Sequence, residues 1–255
     1  MINRFAETDM YDSHCHLEQT VFDEDRDLVV KRAKEAGIDG IVNSGNNPAD
    51  NRKVLALQEK YGQSWYKAVL AVSPHYAPKT GLEAVEEELD FISKNRGRIQ
   101  GVGETGLDFF HFKEEKDRQV QRRAFEMHLQ FAEAHDLAAV VHSRDAVGEC
   151  LEIMKEFKCR KIMHCFLEHR FLENALEQDC WISLPTLKSK PRDKIIKKAP
   201  LENLLAETDS PWLWQPRNEP ANVKEVYERV AEKRQIPLEK AEEALDSNAR
   251  RAFGF

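Results

Sequence analysis

Residues 11–17 read Tyr11-Asp12-Ser13-His14-Cys15-His16-Leu17. Side chains alternate along an extended strand, so His14 and His16 point one way and Cys15 the other. Two imidazoles then converge on one point, and imidazole suits zinc and its neighbours among the divalent metals. A His-x-His pair is short enough to arise by chance. Its weight depends on whether further ligands fall where such a site needs them.

Working outward, apolar β-rich runs recur at 11–16, 40–43, 66–72, 99–104, 138–142, 161–164, 181–184 and 204–207. Between them, segments 25–36, 51–61, 82–94, 119–135 and 147–157 carry apolar residues spaced three and four apart, the helical period. Gly37 and Gly62 stand where the first two of these would end, and Pro48 where the second could begin. Strands alternating with helices imply a parallel sheet. Eight such units in 255 residues predict a single-domain (β/α)8 TIM barrel over residues 1–255, with helices at the C-terminus. An open doubly wound sheet is the alternative.

The bulk properties are compatible with that fold. A charged fraction of 33% and the absence of any apolar run near the roughly 20 residues needed to span a bilayer predict no membrane segment. Residues 1–10 carry Arg4, Glu7 and Asp9 and show no apolar signal core, so the expected location is cytoplasmic. Five cysteines without a Cys-x-x-Cys pair argue against a disulfide framework or a cysteine-held zinc and predict reduced thiols. A net charge of −7 provides no basic footprint for bulk nucleic-acid binding, so a polyanionic substrate would need positive charge at the site itself. No protein partner can be inferred.

In a TIM barrel, reactive residues gather at the C-terminal ends of the strands. Here the first run ends in His14 and His16, the fourth in Glu104, the fifth in His142 and the sixth in His164, and the eighth runs into Asp209. Four histidines and two carboxylates exceed the needs of one tetrahedral ion. They suit two divalent cations, zinc, manganese or magnesium, which at about 3.5–4 Å apart activate water for hydrolysis and clamp both oxygens of a displacement. Asp209 could both bind a cation and take the proton of the attacking water.

The series Asp12-Ser13-His14-Cys15-His16-Leu17, Gly103-Glu104-Thr105-Gly106-Leu107-Asp108, His142-Ser143-Arg144-Asp145-Ala146, His164-Cys165-Phe166 and Glu207-Thr208-Asp209-Ser210-Pro211 resembles the TatD-type metal-dependent deoxyribonucleases of the amidohydrolase superfamily. Asn218-Glu219-Pro220 and the segment 247–254 also fit. The resemblance implies that His14, His16 and Asp209 hold one metal, that His142 and His164 hold the other, and that Glu104 bridges them. It also implies a DNA substrate, single-stranded or with frayed ends. Departures fall at Ser73, where the family commonly has histidine, at Leu167-Glu168, and at Leu184-Pro185-Thr186-Leu187-Lys188. These positions are expected at the mouth of the site, and bear on substrate choice more than on metals.

Other residues carry weaker signals. Arg144 could hold a substrate phosphate, since a guanidinium matches phosphate geometry, or pair with Asp145. His75 and Asn218 could line the site. Lys188, Lys190, Arg192, Lys194, Lys197 and Lys198 form a basic run, read chiefly as a solvated helix face. Trp212 and Trp214 could stack a base or pack beneath a loop. His111, His128, His135 and His169 are expected at the surface. Gly101-Val102-Gly103-Glu104-Thr105-Gly106 matches Gly-x-Gly-x-x-Gly, but Glu104 and Asp108 put negative charge where pyrophosphate would sit and no helix start follows. The leading function is thus a metal-dependent phosphodiester hydrolase. The alternatives are a superfamily hydrolase of esters or amides, and a barrel that keeps a metal only for structure.

Overall fold

Each apolar run becomes a strand in the computed structural model, which describes residues 10–255. The reading of the N-terminal stretch as free of a secretory signal therefore falls, over residues 1–9, outside the described residues. The strands are β1 (Met10–Cys15), β2 (Ile38–Gly45), β3 (Tyr66–Leu70), β4 (Ile99–Asp108), β5 (Ala138–Arg144), β6 (Arg160–Met163), β7 (Trp181–Leu184) and β8 (Leu204–Ala206). They pair in sequence order, and every neighbouring pair is parallel. Helices α1 (Arg26–Glu35), α2 (Pro48–Tyr61), α3 (Ala77–Thr80), α4 (Leu82–Lys94), α5 (Glu115–Ala134), α6 (Val147–Met154), α7 (Leu172–Leu176) and α8 (Lys190–Lys198) lie between them. The chain ends in α9 (Lys224–Arg234) and α10 (Leu238–Phe253). This is the expected single-domain (β/α)8 barrel, and the open sheet is excluded. No helix among the described residues is long and apolar enough to cross a membrane.

Closure between the first and last strands is made just beyond them. Asp209 N donates to His14 O at 2.9 Å, and His16 N donates to Ser210 O at 2.8 Å. The two hydrogen bonds that complete the ring are thus the ones that bring Asp209 beside the His-x-His pair. Asp12 supports the same seam, accepting from Thr208 N at 2.9 Å and Thr208 Oγ1 at 2.6 Å.

Local chemistry explains several boundaries. The Asn47 side chain accepts from the Ala49 and Asp50 N–H groups, and Pro48 follows in the first turn, so α2 begins earlier than the spacing alone suggested. Ser189 caps α8 in the same way by accepting from Arg192 N. Strand β4 runs to Asp108 instead of stopping at Glu104, with a shift of register between Val102 and Thr105. Its glycines serve close packing. A Cβ on Gly106, at φ +129, would lie 2.1 Å from the His142 carbonyl oxygen, so the Gly-x-Gly-x-x-Gly match reflects the approach of β4 to β5 and not a nucleotide site.

The main core lies between sheet and helices. A second cluster joins Tyr11, Val42, Val69, Val140, Ile162 and Leu205 to Ala249, Ala252 and Phe253 of α10, filling the barrel with apolar side chains. The polar residues are left at the strands' C-terminal ends. Two surface expectations fail for one reason. His128 and Arg192 are fully buried, because each sits on the inner face of its helix, His128 among Ala124, Phe125 and Ala132, and Arg192 beside Ile195 and Ile196. Arg192 donates to both oxygens of Glu225 and to Pro185 O, so it packs α8 on α9 and takes no part in a basic rim.

Candidate metal centre

His14 Nε2 and His16 Nε2 stand 3.0 Å apart, and Glu104 Oε1 lies 3.0 Å from the first and 2.8 Å from the second. Asp209 Oδ1 completes this group at 3.7 and 3.6 Å from the same two nitrogens. The other oxygen of Glu104 faces a second group, with Oε2 at 3.2 Å from His142 Nδ1 and 3.7 Å from His164 Nε2. The two sets of possible metal ligands, His14-His16-Glu104-Asp209 and Glu104-His142-His164, therefore share one carboxylate. All six residues named from the strand ends meet at one place.

The donor set fits a cation on chemical grounds. His16 Nδ1 lies 2.8 Å from Ser44 O, an acceptor, so that nitrogen carries the ring proton. Its Nε2 faces Glu104 Oε1, also an acceptor, at 2.8 Å, with a second imidazole nitrogen beside it, so this contact needs a proton or a cation between them. Lone pairs at such distances repel unless positive charge sits among them.

Carboxylates stand behind three of the rings, and His164 Nδ1 makes no hydrogen bond to its own. His142 Nε2 lies 3.3 Å from Asp108 Oδ2, and His164 Nδ1 lies 3.5 Å from Glu207 Oε1, which also accepts from Cys165 N at 2.7 Å. Glu18 accepts from Asn43 at 2.6 Å and stands 3.4 Å from His16 Nδ1. Such carboxylate–imidazole pairs orient a ring and raise its basicity toward a metal.

Burial and neighbouring charge separate the titrations. Burial, aided by His164, lowers His14 to about 4. Burial opposes charge on His142 too, but Asp108 and Glu104 outweigh it and raise the ring to about 9. Glu104 is held well below the usual range, because His164 and the hydrogen bonds of His14, His142 and His16 overcome its burial. Asp209 goes the other way, raised by burial to about 7. Glu104 is thus the fixed negative charge of the centre.

Of the residues expected to touch substrate, Arg144 and His75 are near the centre. Arg144 lines a cleft with His142, His164, Asp209 and Leu213, its guanidinium 4.2 Å above the Phe110 ring. The His75 ring is 5.4 Å from that of His142. Asn218 is not so placed: it is fully buried, donating to Thr208 O at 2.7 Å and Thr186 Oγ1 at 2.9 Å, and holds the loop after β8 to that after β7. Trp212 is 45% exposed with its ring 4.9 Å from that of His16, so it borders the centre. Sequence reasoning missed Asp108, Glu18 and Glu207. Only their adjacency to the strand-end motifs could have marked them.

A parallel barrel whose ends gather imidazoles around a shared carboxylate belongs to the class of divalent-metal-dependent hydrolases. Within that class the sequence model described as TatD related DNase matches residues 11–254, and the chain belongs to this family. An uncharacterized metal-dependent hydrolase of Bacillus subtilis, YabD, is 29% identical, over 96% of this chain and 98% of its own. The 3'-5' ssDNA/RNA exonuclease TatD of Erwinia amylovora is likewise 29% identical, over 96% of this chain and 100% of its own. The fold matches the crystal structure of YjjV, a TatD homologue of Escherichia coli, with a TM-score of 0.88 at 24% identity, over 96% of this chain and 98% of that one.

Proposed function

We propose that this protein is a deoxyribonuclease that hydrolyses phosphodiester bonds with two divalent cations, and that its substrate is single-stranded or frayed DNA. The observation that carries the reading is the division of Glu104, one oxygen toward His14 and His16 and the other toward His142 and His164. In this reading His14, His16 and Asp209 would hold one cation, His142 and His164 would hold the second, and Glu104 would be shared between them. Zinc, manganese and magnesium all accept this donor set. When bound, the cations polarise the phosphoryl oxygen and lower the pKa of water.

The chain's own residues do the rest. Asp209 stands at the cleft and accepts the proton of the attacking water. Arg144, stacked on Phe110, presents its guanidinium edge to a substrate phosphate. Trp212 offers an exposed ring on which an unpaired base can stack, which favours single strands over duplex. The exonuclease name of the Erwinia relative supports a nucleic-acid substrate. Five free thiols support a reducing compartment such as the cytoplasm.

The test is cleavage of an end-labelled single-stranded oligonucleotide with added magnesium, manganese or zinc, with Asp209→Asn protein as the paired control. Metal-dependent shortening that disappears in the variant supports the reading, and the product ladder gives the polarity. If both proteins bind metal and leave the DNA intact, the substrate assignment fails and ester or amide hydrolysis takes its place.

A further inference from the structure

Beside the centre His75, Asp108 and His111 converge, and none of these three holds a cation in the proposed reaction. Asp108 Oδ2 faces His75 Nε2 at 2.6 Å and His111 Nδ1 at 2.8 Å, with His142 Nε2 at 3.3 Å. One carboxylate oxygen has two lone pairs and here meets three ring nitrogens. The other oxygen of Asp108 is already engaged, accepting from His111 N at 2.8 Å.

We propose that His75, Asp108 and His111 form a third divalent-cation site, separate from the pair bridged by Glu104. Two imidazoles and a carboxylate are a donor set for zinc-class first-row metals, and three protein ligands leave positions open for water or a substrate oxygen. Ligand atoms sharing one ion at roughly 2.1 Å stand roughly 3.0–3.4 Å apart, a spacing these atoms reach by a small opening of the cluster. Asp108 is fully buried, whereas the His75 and His111 side chains are each 46% exposed, so the anchor is fixed and both rings can adjust and admit an ion from solvent.

The surroundings hold this cluster as outer partners hold a metal site. Gln121, fully buried on α5, accepts from Asp108 N at 3.0 Å and donates to Pro74 O at 2.8 Å, clamping the residue before His75 to the end of β4. A single side chain thereby sets the distance between two of the three ligands. His142 spans the two sites, with Nδ1 toward Glu104 and Nε2 toward Asp108. A cation here stands one imidazole ring from the main centre and on the open side of it, where it can take a further oxygen of an anionic substrate.

The probe is cobalt(II). Chelator-stripped full-length protein is dialysed against a series of free cobalt concentrations, and bound metal per chain is measured by elemental analysis alongside the visible spectrum. Wild type is compared with His75→Gln/His111→Gln, which leaves Asp108 in place to orient His142, and with His111→Gln alone. Wild type is expected to hold one cobalt more per chain at saturation than the double variant, and the single variant to bind that last equivalent at least tenfold more weakly. The comparison is a difference, so it does not depend on how many ions the main centre holds or on what the enzyme cleaves. Equal cobalt content and equal spectra in wild type and double variant overturn the site. So does loss of inorganic-phosphate binding in the double variant with its cobalt content unchanged, which would make the cluster an anion site.

Discussion

The stability of this barrel is expected to depend on pH through His128. The ring is fully buried on α5, donating from Nδ1 to Ala124 O at 2.7 Å and accepting at Nε2 from Val72 N at 3.1 Å. Burial lowers its pKa to about 4, against the opposing hydrogen bond to Ala124. Protonation would set a ring N–H against the Val72 N–H, two donors face to face. Folded pKa lies below unfolded, so the unfolded chain binds the extra proton first. This contribution is fully present above about pH 6.5 and is lost as pH falls toward 4. The gap between about 6.5 in the unfolded chain and about 4 in the fold corresponds to about 3 kcal/mol, most of which is lost between pH 7.5 and 4.5.

The assay is urea unfolding of metal-stripped wild type and His128→Gln at those two pH values. Every other titrating group is common to both proteins and cancels in the difference. Wild type should lose about 2–3 kcal/mol more than the variant on acidification. Losses equal within about 0.5 kcal/mol would refute the assignment of a neutral, buried His128. The effect also touches the site, because Val72 leads through Ser73 and Pro74 to His75.

Three further outcomes follow from named contacts. Gly106→Ala puts a Cβ 2.1 Å from the His142 carbonyl oxygen at a φ of +129, and thermal unfolding should show a loss of about 3 kcal/mol or more, since backbone bounds the space. Glu207→Gln removes the charge 3.5 Å from His164 Nδ1, and competition with a chelator should show metal affinity lowered by about 10–100-fold while the fold persists. Arg144→Ala should raise KM on a single-stranded oligonucleotide by about tenfold with kcat changed by less than about twofold, with partial recovery in Arg144→Lys. An equal fall in kcat would show instead that Arg144 acts in the transition state.

The strands and most of the candidate ligands were legible in the chain because both signals are local. Buried parallel strands read as short apolar runs, and a metal-competent side chain at the end of each run is visible without knowing what it faces. Burial of His128 and Arg192 was also written in the helical period, at Ala124 and Ala132 in one case and Ile195 and Ile196 in the other. A charged or polar residue on an inner face is unusual, so residue type alone points to a solvated position for both.

Tertiary structure alone decided the rest. Which oxygen of Glu104 meets which imidazoles is fixed only where the strand ends come together, and Asp209 reaches His14 only because the ring closes between segments nearly 200 residues apart. Asn218 is turned inward by two loops that no local pattern relates, and His75 meets Asp108 where Gln121, on a third element, ties Asp108 N to Pro74 O. Local sequence sets which side chains are available and which way a strand or helix turns them. The distances between them are set by barrel closure and helix packing, which sum over the whole chain.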